Sequence, residues 1–252
     1  MNITFIVPVN DAAWFNRQKS TIGYNAILPV WDSSSAAEAL NWGIDNSDAN
    51  DQIANVAAAI ALMPTDGNDP NSAEILAAIE ATETEIVVCC HQDVLFPRNW
   101  TGRLEKQLAL IDDPNFGVIG TFGVDLDFKP VGHVHGTPEK LLKDPMGWFK
   151  RGKLPCEVQT LDEHCLILRK SSGLRFDSSL GWHCYGADIC LQAATKGMKN
   201  YAIDACVYHG GKGLADTKNL KPFLNSLAIL QKKWEGKNPY SQIKTTCAKV
   251  KL

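Results

Sequence analysis

The sequence has no apolar run approaching the about 18 residues that a membrane span needs. The stretch from Met1 to Val9 lacks the basic start and the cleavage site of a secretory signal peptide. Since 45% of the 252 residues are hydrophobic, the chain can form a sizeable core. These observations predict a globular protein, and we expect it in the cytoplasm.

Cysteine pairs with the spacing Cys-x-x-Cys are also missing, although the chain has eight cysteines. Cys89 and Cys90 are adjacent on an apparent strand, while Cys165, Cys190 and Cys206 fall inside periodic elements. A disulfide framework needs cysteines on loops that can meet, so we expect buried free thiols in a reducing compartment.

Basic residues are scarce in the first third of the chain. Residues 1–85 carry twelve acidic side chains against Arg17 and Lys19, whereas residues 86–252 carry sixteen acidic and twenty-three basic ones. The basic excess after Lys196 suits a phosphate-bearing ligand or an anionic surface, including peripheral contact with a membrane, or is a plain solvated face. The acidic first part argues against a nucleic-acid binder.

Strand and helix patterns alternate along the chain, which predicts a mixed α/β sheet with ligand loops at the strand ends. Because proline has no backbone N–H to donate to a neighbouring strand, Pro29 predicts that the second strand lies at a sheet edge or is bent. The segment 132–154 has no sustained hydrophobic periodicity, which predicts a long loop that lies over a site. Strands are predicted at 3–9, 26–31, 85–94, 117–124, 161–169 and 201–208, and helices at 36–44, 53–63, 73–81, 100–111, 187–196 and 223–234.

The apolar stretch at 85–94 ends in a lone carboxylate, Asp93. Open α/β sheets bind ligands at that edge, so Asp93 is the first candidate for a metal or substrate ligand. The alternative is a loop aspartate that merely ends a strand.

Several motifs follow in a fixed order: His91-Gln92-Asp93-Val94, Pro97 and Trp100, Leu161-Asp162-Glu163, Phe176-Asp177, the stretch 183–193, Gly197 and the stretch 203–209. This order resembles inverting glycosyltransferases of family 2, in the streptomycin-biosynthesis-like branch. The resemblance covers roughly residues 1–45 and 73–213. It implies a GT-A-like, Rossmann-like domain at 1–215 with a mainly parallel mixed sheet flanked by helices, an insertion at 46–72 and a C-terminal helical extension at 216–252.

The resemblance implies a nucleotide diphosphate sugar donor and a divalent cation, Mn²⁺ or Mg²⁺. Asp93 corresponds to the last aspartate of the family's acidic motif, and His209 to a second metal ligand. His91 stands where many relatives have an acidic residue, which makes the site less acidic. For His209 the alternative is a structural hydrogen bond, and for 210–213 a flexible glycine turn. The donor-binding residues implied are Val9, Asn10, Asp32, Asn41, His91, Gln92 and Lys212.

The resemblance places the catalytic base at Asp188, near the start of a helix. The helix dipole keeps such a carboxylate ionised, as a base must be, although the same position also suits a simple cap. Trp148 and Phe149 are predicted to close over bound donor. The acceptor-binding residues predicted are Asp162, Glu163, Trp182, His183 and Tyr185, with Asp162 and Glu163 the reserve candidates for the base.

The predicted function is therefore metal-assisted transfer of a sugar, with inversion, to an acceptor hydroxyl. The acceptor is a sugar or another molecule that carries a hydroxyl. Two alternatives stay open. One is a non-catalytic relative that binds a nucleotide sugar or a carbohydrate. The other is a zinc protein, suggested by these cysteines and histidines: Cys89, Cys90, His91, His133, His135, Cys156, His164, Cys165, His183 and Cys184.

Overall fold

The structure is a computed structural model that describes residues 3–9, 12–22, 26–31, 40–41, 85–133, 150–210, 220–240 and 242–250. Several predictions lie outside these ranges. They are the helices at 53–63 and 73–81, most of the helix at 36–44, the insertion at 46–72, and the residues Asn10, Asp32, His135, Trp148, Phe149 and Lys212.

The described residues form strands with four α-helices placed among them. The strands are β1 (Ile3–Val9), β2 (Ala26–Trp31), β3 (Ile86–Cys90), β4 (Val94–Leu95), β5 (Val118–Gly120), β6 (Phe122–Asp125), β7 (Pro130–His133), β8 (Lys150–Arg151), β9 (Cys156–Leu161), β10 (Cys165–Arg169), β11 (Asn200–Ala202), β12 (Tyr208–His209), β13 (Ile243–Lys244) and β14 (Lys249–Val250). The α-helices are α1 (Ala12–Ile22), α2 (Trp100–Ile111), α3 (Tyr185–Thr195) and α4 (Lys221–Trp234), and short 3₁₀ helices cover Lys170–Ser172 and Ser178–Leu180.

Ten of the strands form one sheet in the order β2-β1-β3-β10-β5-β11-β9-β6-β7-β8. The pairs β1–β2, β1–β3 and β5–β11 are parallel, whereas β10 runs antiparallel to both β3 and β5. The predicted fold class, a mixed α/β sheet flanked by helices, is confirmed. The strand with Pro29 lies at the edge of the sheet, as predicted.

Strand β3 shows why this sheet is covered on both faces. All five of its residues are buried, and successive side chains of a strand point to opposite faces. Val87 and Cys89 join one core with α3 and α4, while Ile86, Val88 and Cys90 join the other with α1 and α2. A strand that is apolar at every position is typical of a sheet buried on both sides.

Four predicted strands are shorter or divided. Residues 85–94 contain β3, which ends at Cys90, and the first residue of β4, which begins at Val94. Residues 161–169 were predicted as one strand, which is wrong: β9 ends at Leu161, β10 begins at Cys165, and the residues between them form the turn of a hairpin. Residues 117–124 contain β5 and β6, which flank Thr121. Residues 201–208 contain the ends of two strands, β11 and β12, in separate sheets.

The C-terminal segment packs on the rest of the domain. Leu230 and Trp234 of α4 and Ile243 of β13 are buried in the core that contains α3. Among the described residues, no helix is both long enough and apolar enough to cross a membrane.

Candidate active site

Two loops meet because β3 and β10 are antiparallel neighbours. Cys90, the last residue of β3, is paired with Cys165, the first residue of β10. The His91 amide donates to the His164 carbonyl oxygen at 3.1 Å, which extends the pairing by one residue. The loop after β3 and the turn before β10 therefore lie side by side at one edge of the sheet.

A small second sheet brings a third segment to this edge. Strands β4 and β12 pair antiparallel, with His209 opposite Val94. The Gly210 amide donates to the Asp93 carbonyl oxygen at 2.9 Å. His209 is thereby held beside the loop after β3, although 118 positions separate it from His91.

His91, Asp93 and His209 form what we call the histidine–aspartate cluster. The Nε2 atom of His209 lies 3.5 Å from Oδ1 of Asp93 and 3.3 Å from Nδ1 of His91. One ligand atom from each residue lies within 4.8 Å of the others, and all three residues are partly buried. Ligand atoms about 2.1 Å from a cation have separations of this size, so the donor set fits a divalent ion.

The electrostatics of the cluster favour metal-binding forms of two of its members. Burial, reinforced by the nearby His209, lowers the pKa of His91 to about 4, which keeps its imidazole neutral. Burial raises the pKa of Asp93, but the hydrogen bond and charge of His209 outweigh burial and the net shift is downward. The pKa of His209 is raised because the interaction with Asp93 outweighs burial. Neutral imidazole and ionised carboxylate are the forms that coordinate metals.

Other groups orient the cluster. The Tyr185 hydroxyl and His91 Nε2 form a hydrogen bond of 2.8 Å. The ring of His164 stacks on that of His209, with centroids 5.4 Å apart and planes at 20°. The amide of Gln18, from α1, donates to the His91 carbonyl oxygen at 2.6 Å. Such outer partners fix ring orientation in metal sites.

Asp162 is hydrogen-bonded through both carboxylate oxygens. Its Oδ1 pairs with Nδ1 of His164 at 2.7 Å, and its Oδ2 accepts from the Thr246 hydroxyl at 2.8 Å. Burial raises the pKa of Asp162, but the bond to His164 and its charge outweigh burial and hold the pKa well below the usual range. On its other side, His164 Nε2 lies 2.7 Å from the Thr121 hydroxyl. This carboxylate orients neighbours and has little basicity left.

Glu163 is the opposite case. Burial, followed by the charge of Asp162, raises its pKa to about 8. Its Oε1 accepts from the Gly186 amide at 3.4 Å, at the beginning of α3, where Cys184 has a positive φ of 64°. The side chain keeps partial exposure. A partly exposed carboxyl with a pKa near neutrality can act as a general base or acid.

Asp188 lies inside the protein, at 0% exposure. Its carboxylate accepts from Trp234 Nε1 at 2.8 Å and from Gln192 Nε2 at 2.7 Å, and it pairs with Lys233 Nζ at 2.8 Å. Lys233 also pairs with Asp177 at 2.7 Å. We call these contacts, centred on Asp177, Asp188, Lys233 and Trp234, the α3–α4 junction. The geometry favours a structural carboxylate, and the assignment of the base to Asp188 stays a prediction.

The other predicted site residues lie in varied surroundings. Asn41 is committed to the main chain of Phe176, donating to its oxygen at 2.7 Å and accepting from its amide at 2.8 Å. Val9 is buried at the carboxyl end of β1, and Gln92 lies between His91 and Asp93. Trp182 is 45% exposed. Their donor- and acceptor-binding roles stay predictions, as does that of His183, whose ring packs edge-on against Phe223.

Several partners of the site were not predicted from the sequence. They are Gln18, Thr121, His164 as a partner of Asp162, Thr246, Lys233 and Trp234. The spacing Asp162-x-His164 was the one local signal, because an aspartate in a turn commonly bonds two residues ahead. The others meet the site through long-range packing.

The described cysteines do not support the alternative of a zinc protein. All eight cysteines are free, and burial raises the pKa of those at 89, 90, 165, 184 and 190 well above the usual range. Buried thiols in the protonated form are poor metal ligands.

No protein-family model matches the chain. A protein of Fuscovulum blasticum named "ATP synthase subunits region ORF 6" is 33% identical over 152 residues, which cover 59% of this chain and 60% of that protein. The match therefore spans less than two thirds of the relative's length.

Two solved structures resemble the chain with low TM-scores. The mannosyltransferase PcManGT from Pyrobaculum calidifontis, in complex with GDP-Man and Mn²⁺, has a TM-score of 0.43 and 15% identity, with 91% of this chain and 70% of that chain covered. S. aureus TarS 1-349 has a TM-score of 0.46 and 13% identity, covering 92% and 65% of the two chains.

Proposed function

We propose that the chain is a glycosyltransferase that moves a sugar from a nucleotide diphosphate sugar to an acceptor hydroxyl with inversion. The observation that carries the proposal is the histidine–aspartate cluster. Asp93 and His209, the two metal ligands implied by the resemblance, lie 3.5 Å apart at the carboxyl end of β3. Open α/β sheets bind ligands at this edge.

His91, Asp93 and His209 would hold the cation. When bound there, a divalent cation would neutralise the diphosphate oxygens of the donor and so stabilise the leaving group. Val9 and Gln92, at the ends of β1 and β3, are proposed to contact the donor, together with Asn10, Asp32, Asn41 and Lys212. We keep the 1–215 domain and the 216–252 extension as the proposed division of the chain.

We propose Glu163 as the general base, in place of Asp188. Inverting transfer needs one base that removes the proton of the acceptor hydroxyl as its oxygen attacks the anomeric carbon. Asp188 has three hydrogen-bond donors and no exposure, and Asp162 has both oxygens occupied. Glu163 is partly exposed and has a pKa raised to about 8. It would take the proton and return it to water after product leaves.

The test is release of nucleoside diphosphate from a panel of UDP-, GDP- and dTDP-sugars, with Mn²⁺ and with a chelator. We expect turnover of at least one donor, lost with chelator and in Asp93→Asn. Asp127→Asn, at a carboxylate that is 78% exposed, is the matched control and keeps turnover. Donor binding without any turnover by the wild type would favour the non-catalytic alternative.

A further inference from the structure

The C-terminal hairpin of β13 and β14 is fixed to the edge of β9. The Thr160 hydroxyl donates to the Lys244 carbonyl oxygen at 2.6 Å, and the Lys244 amide donates to Oε1 of Gln159 at 2.9 Å. Ile243 is 1% exposed in the core. The hairpin is therefore part of the folded domain, with a defined position over β9.

The turn that joins the two strands is closed by its own hydrogen bonds. The Thr245 amide donates to the Ala248 carbonyl oxygen at 2.8 Å. The Thr245 hydroxyl oxygen accepts from the amides of Ala248 and Cys247 at 2.8 and 3.2 Å. A turn satisfied in this way holds one shape without help from a ligand.

This turn lies against the residues proposed for the acceptor side of the site. The Thr246 hydroxyl donates to Asp162 Oδ2 at 2.8 Å, and it lies 3.7 Å from the Cys247 sulfur. Cys247 is exposed, and its thiol interacts electrostatically with Asp162 and Glu163, whose charges add to burial in raising its pKa. The turn thus contacts Asp162 through Thr246, and its exposed thiol is near enough to Glu163 for an electrostatic interaction.

We propose that the turn 245–248 forms one wall of the acceptor subsite and that the size of the side chain at Cys247 limits which acceptors reach Glu163. The inference rests on the proposed function. An acceptor sugar must present a hydroxyl to Glu163, and Asp162 is covered on that side by Thr246. An acceptor that reaches Glu163 along the turn would meet the sulfur of Cys247. A larger group there hinders a sugar more than it hinders water, the smallest acceptor.

The experiment compares two reactions of the same donor. UDP-glucose, UDP-N-acetylglucosamine and GDP-mannose are the donors, and methyl glucoside, methyl galactoside and methyl mannoside are the acceptors. For Cys247→Trp we expect the ratio of glycoside transfer to donor hydrolysis to fall about tenfold, through a higher KM for the glycoside. Leu126→Trp, at an exposed site of the β6–β7 turn, is the control for added bulk and keeps the ratio.

Alkylation of the wild type with N-ethylmaleimide gives the same test without a change of sequence. The reagent should lower the ratio in the wild type and leave it unchanged in Cys247→Ser. An unaltered glycoside KM in Cys247→Trp and in alkylated protein would overturn the inference alone. Absence of nucleoside diphosphate release by the wild type from the whole panel of UDP-, GDP- and dTDP-sugars would instead overturn the proposed function, and the inference with it.

Discussion

The histidine–aspartate cluster and the α3–α4 junction both contain ionisable side chains that are partly or fully buried. The two regions differ in the hydrogen bonds that these side chains receive. At the junction, the Asp188 carboxylate has donors from Trp234, Gln192 and Lys233 within 2.9 Å. In the cluster, ring nitrogens and a carboxylate face one another at 3.3 and 3.5 Å.

The difference distinguishes a charged side chain with a structural role from side chains that can bind a cation or transfer a proton. A buried carboxylate that is paired and hydrogen-bonded on all sides stabilises a particular packing and has no free lone pair for a substrate. Side chains whose nitrogen and oxygen atoms converge on one point can bind a cation, and a carboxyl with a raised pKa can move a proton. Substitutions in both regions, and the dependence of stability on pH, test this division.

Glu163→Gln should lower transfer by roughly 10³-fold, because general bases contribute about 10² to 10⁴ in rate. The amide keeps the size of the protonated side chain, so donor affinity should persist. Steady-state kinetics and calorimetric titration of the donor measure the two effects. Glu157→Gln, at a partly exposed carboxylate paired with Lys199, is the matched control. Full transfer by Glu163→Gln would move the base to another residue.

Asp188→Ala should lower the free energy of unfolding by about 3 kcal/mol, because it leaves the Trp234 indole and Lys233 without their shared acceptor. Turnover per folded molecule should remain. Urea unfolding and active-site-normalised rates provide the measurement, with exposed Asp127→Ala as the control, expected within about 0.5 kcal/mol of the wild type. Unchanged stability with lost transfer would restore Asp188 as the base.

His91→Asp should change metal preference. Imidazole ligands favour first-row transition metals, whereas Mg²⁺ prefers oxygen, so we expect the wild type to bind Mn²⁺ more tightly than Mg²⁺. An added carboxylate should reduce that preference by roughly 30-fold. Calorimetric titration with each metal measures it. An identical Mn²⁺/Mg²⁺ ratio in the variant would exclude His91 as a ligand.

Tyr185→Phe should weaken Mn²⁺ binding about tenfold, because it removes the hydroxyl that orients His91. Tyr201→Phe is the matched control, since its hydroxyl bonds to Asp113 instead. Mn²⁺ electron paramagnetic resonance titration reads the free ion directly. Equal affinities in Tyr185→Phe and the wild type would show that the other contacts suffice to hold His91.

The last prediction concerns pH. Glu163 has a folded pKa of about 8 against an ordinary value of 4.5. The proton it keeps in the folded state stabilises that state in full below pH 4.5, and this contribution is lost as pH rises to about 8. The wild type should therefore lose stability relative to Glu163→Gln across this window, which urea unfolding at several pH values would show. If the free energies of unfolding of the two proteins changed with pH in parallel, the raised pKa of Glu163 would be contradicted.

The elements with continuous local patterns were predicted well. The predicted bounds of β1 and α2 agree with the structure because each has an unbroken apolar period. The hairpin turn at Asp162 and Glu163 was missed because the apolar residues on its two sides give the sequence pattern of a single strand. A turn with Asp162 bonded to His164 replaces it.

The site was predictable only where a motif marked it. Asp93 follows an apolar strand, and its meeting with His209 depends on β4–β12 pairing, which no local pattern contains. The burial of Asp188 depends on α4, whose Lys233 lies 45 positions further along the chain. A helix-start aspartate has the same local signature whether it faces a substrate or a distant lysine, so sequence alone could not separate the two.

The most direct test is an anomalous diffraction measurement on crystals of the protein grown with Mn²⁺ and a nucleoside diphosphate. We expect one strong manganese peak at about 2.1 to 2.3 Å from His91, Asp93 and His209, with phosphate oxygens completing its coordination. A fully occupied manganese peak elsewhere, or none at this cluster despite bound nucleotide, would contradict it.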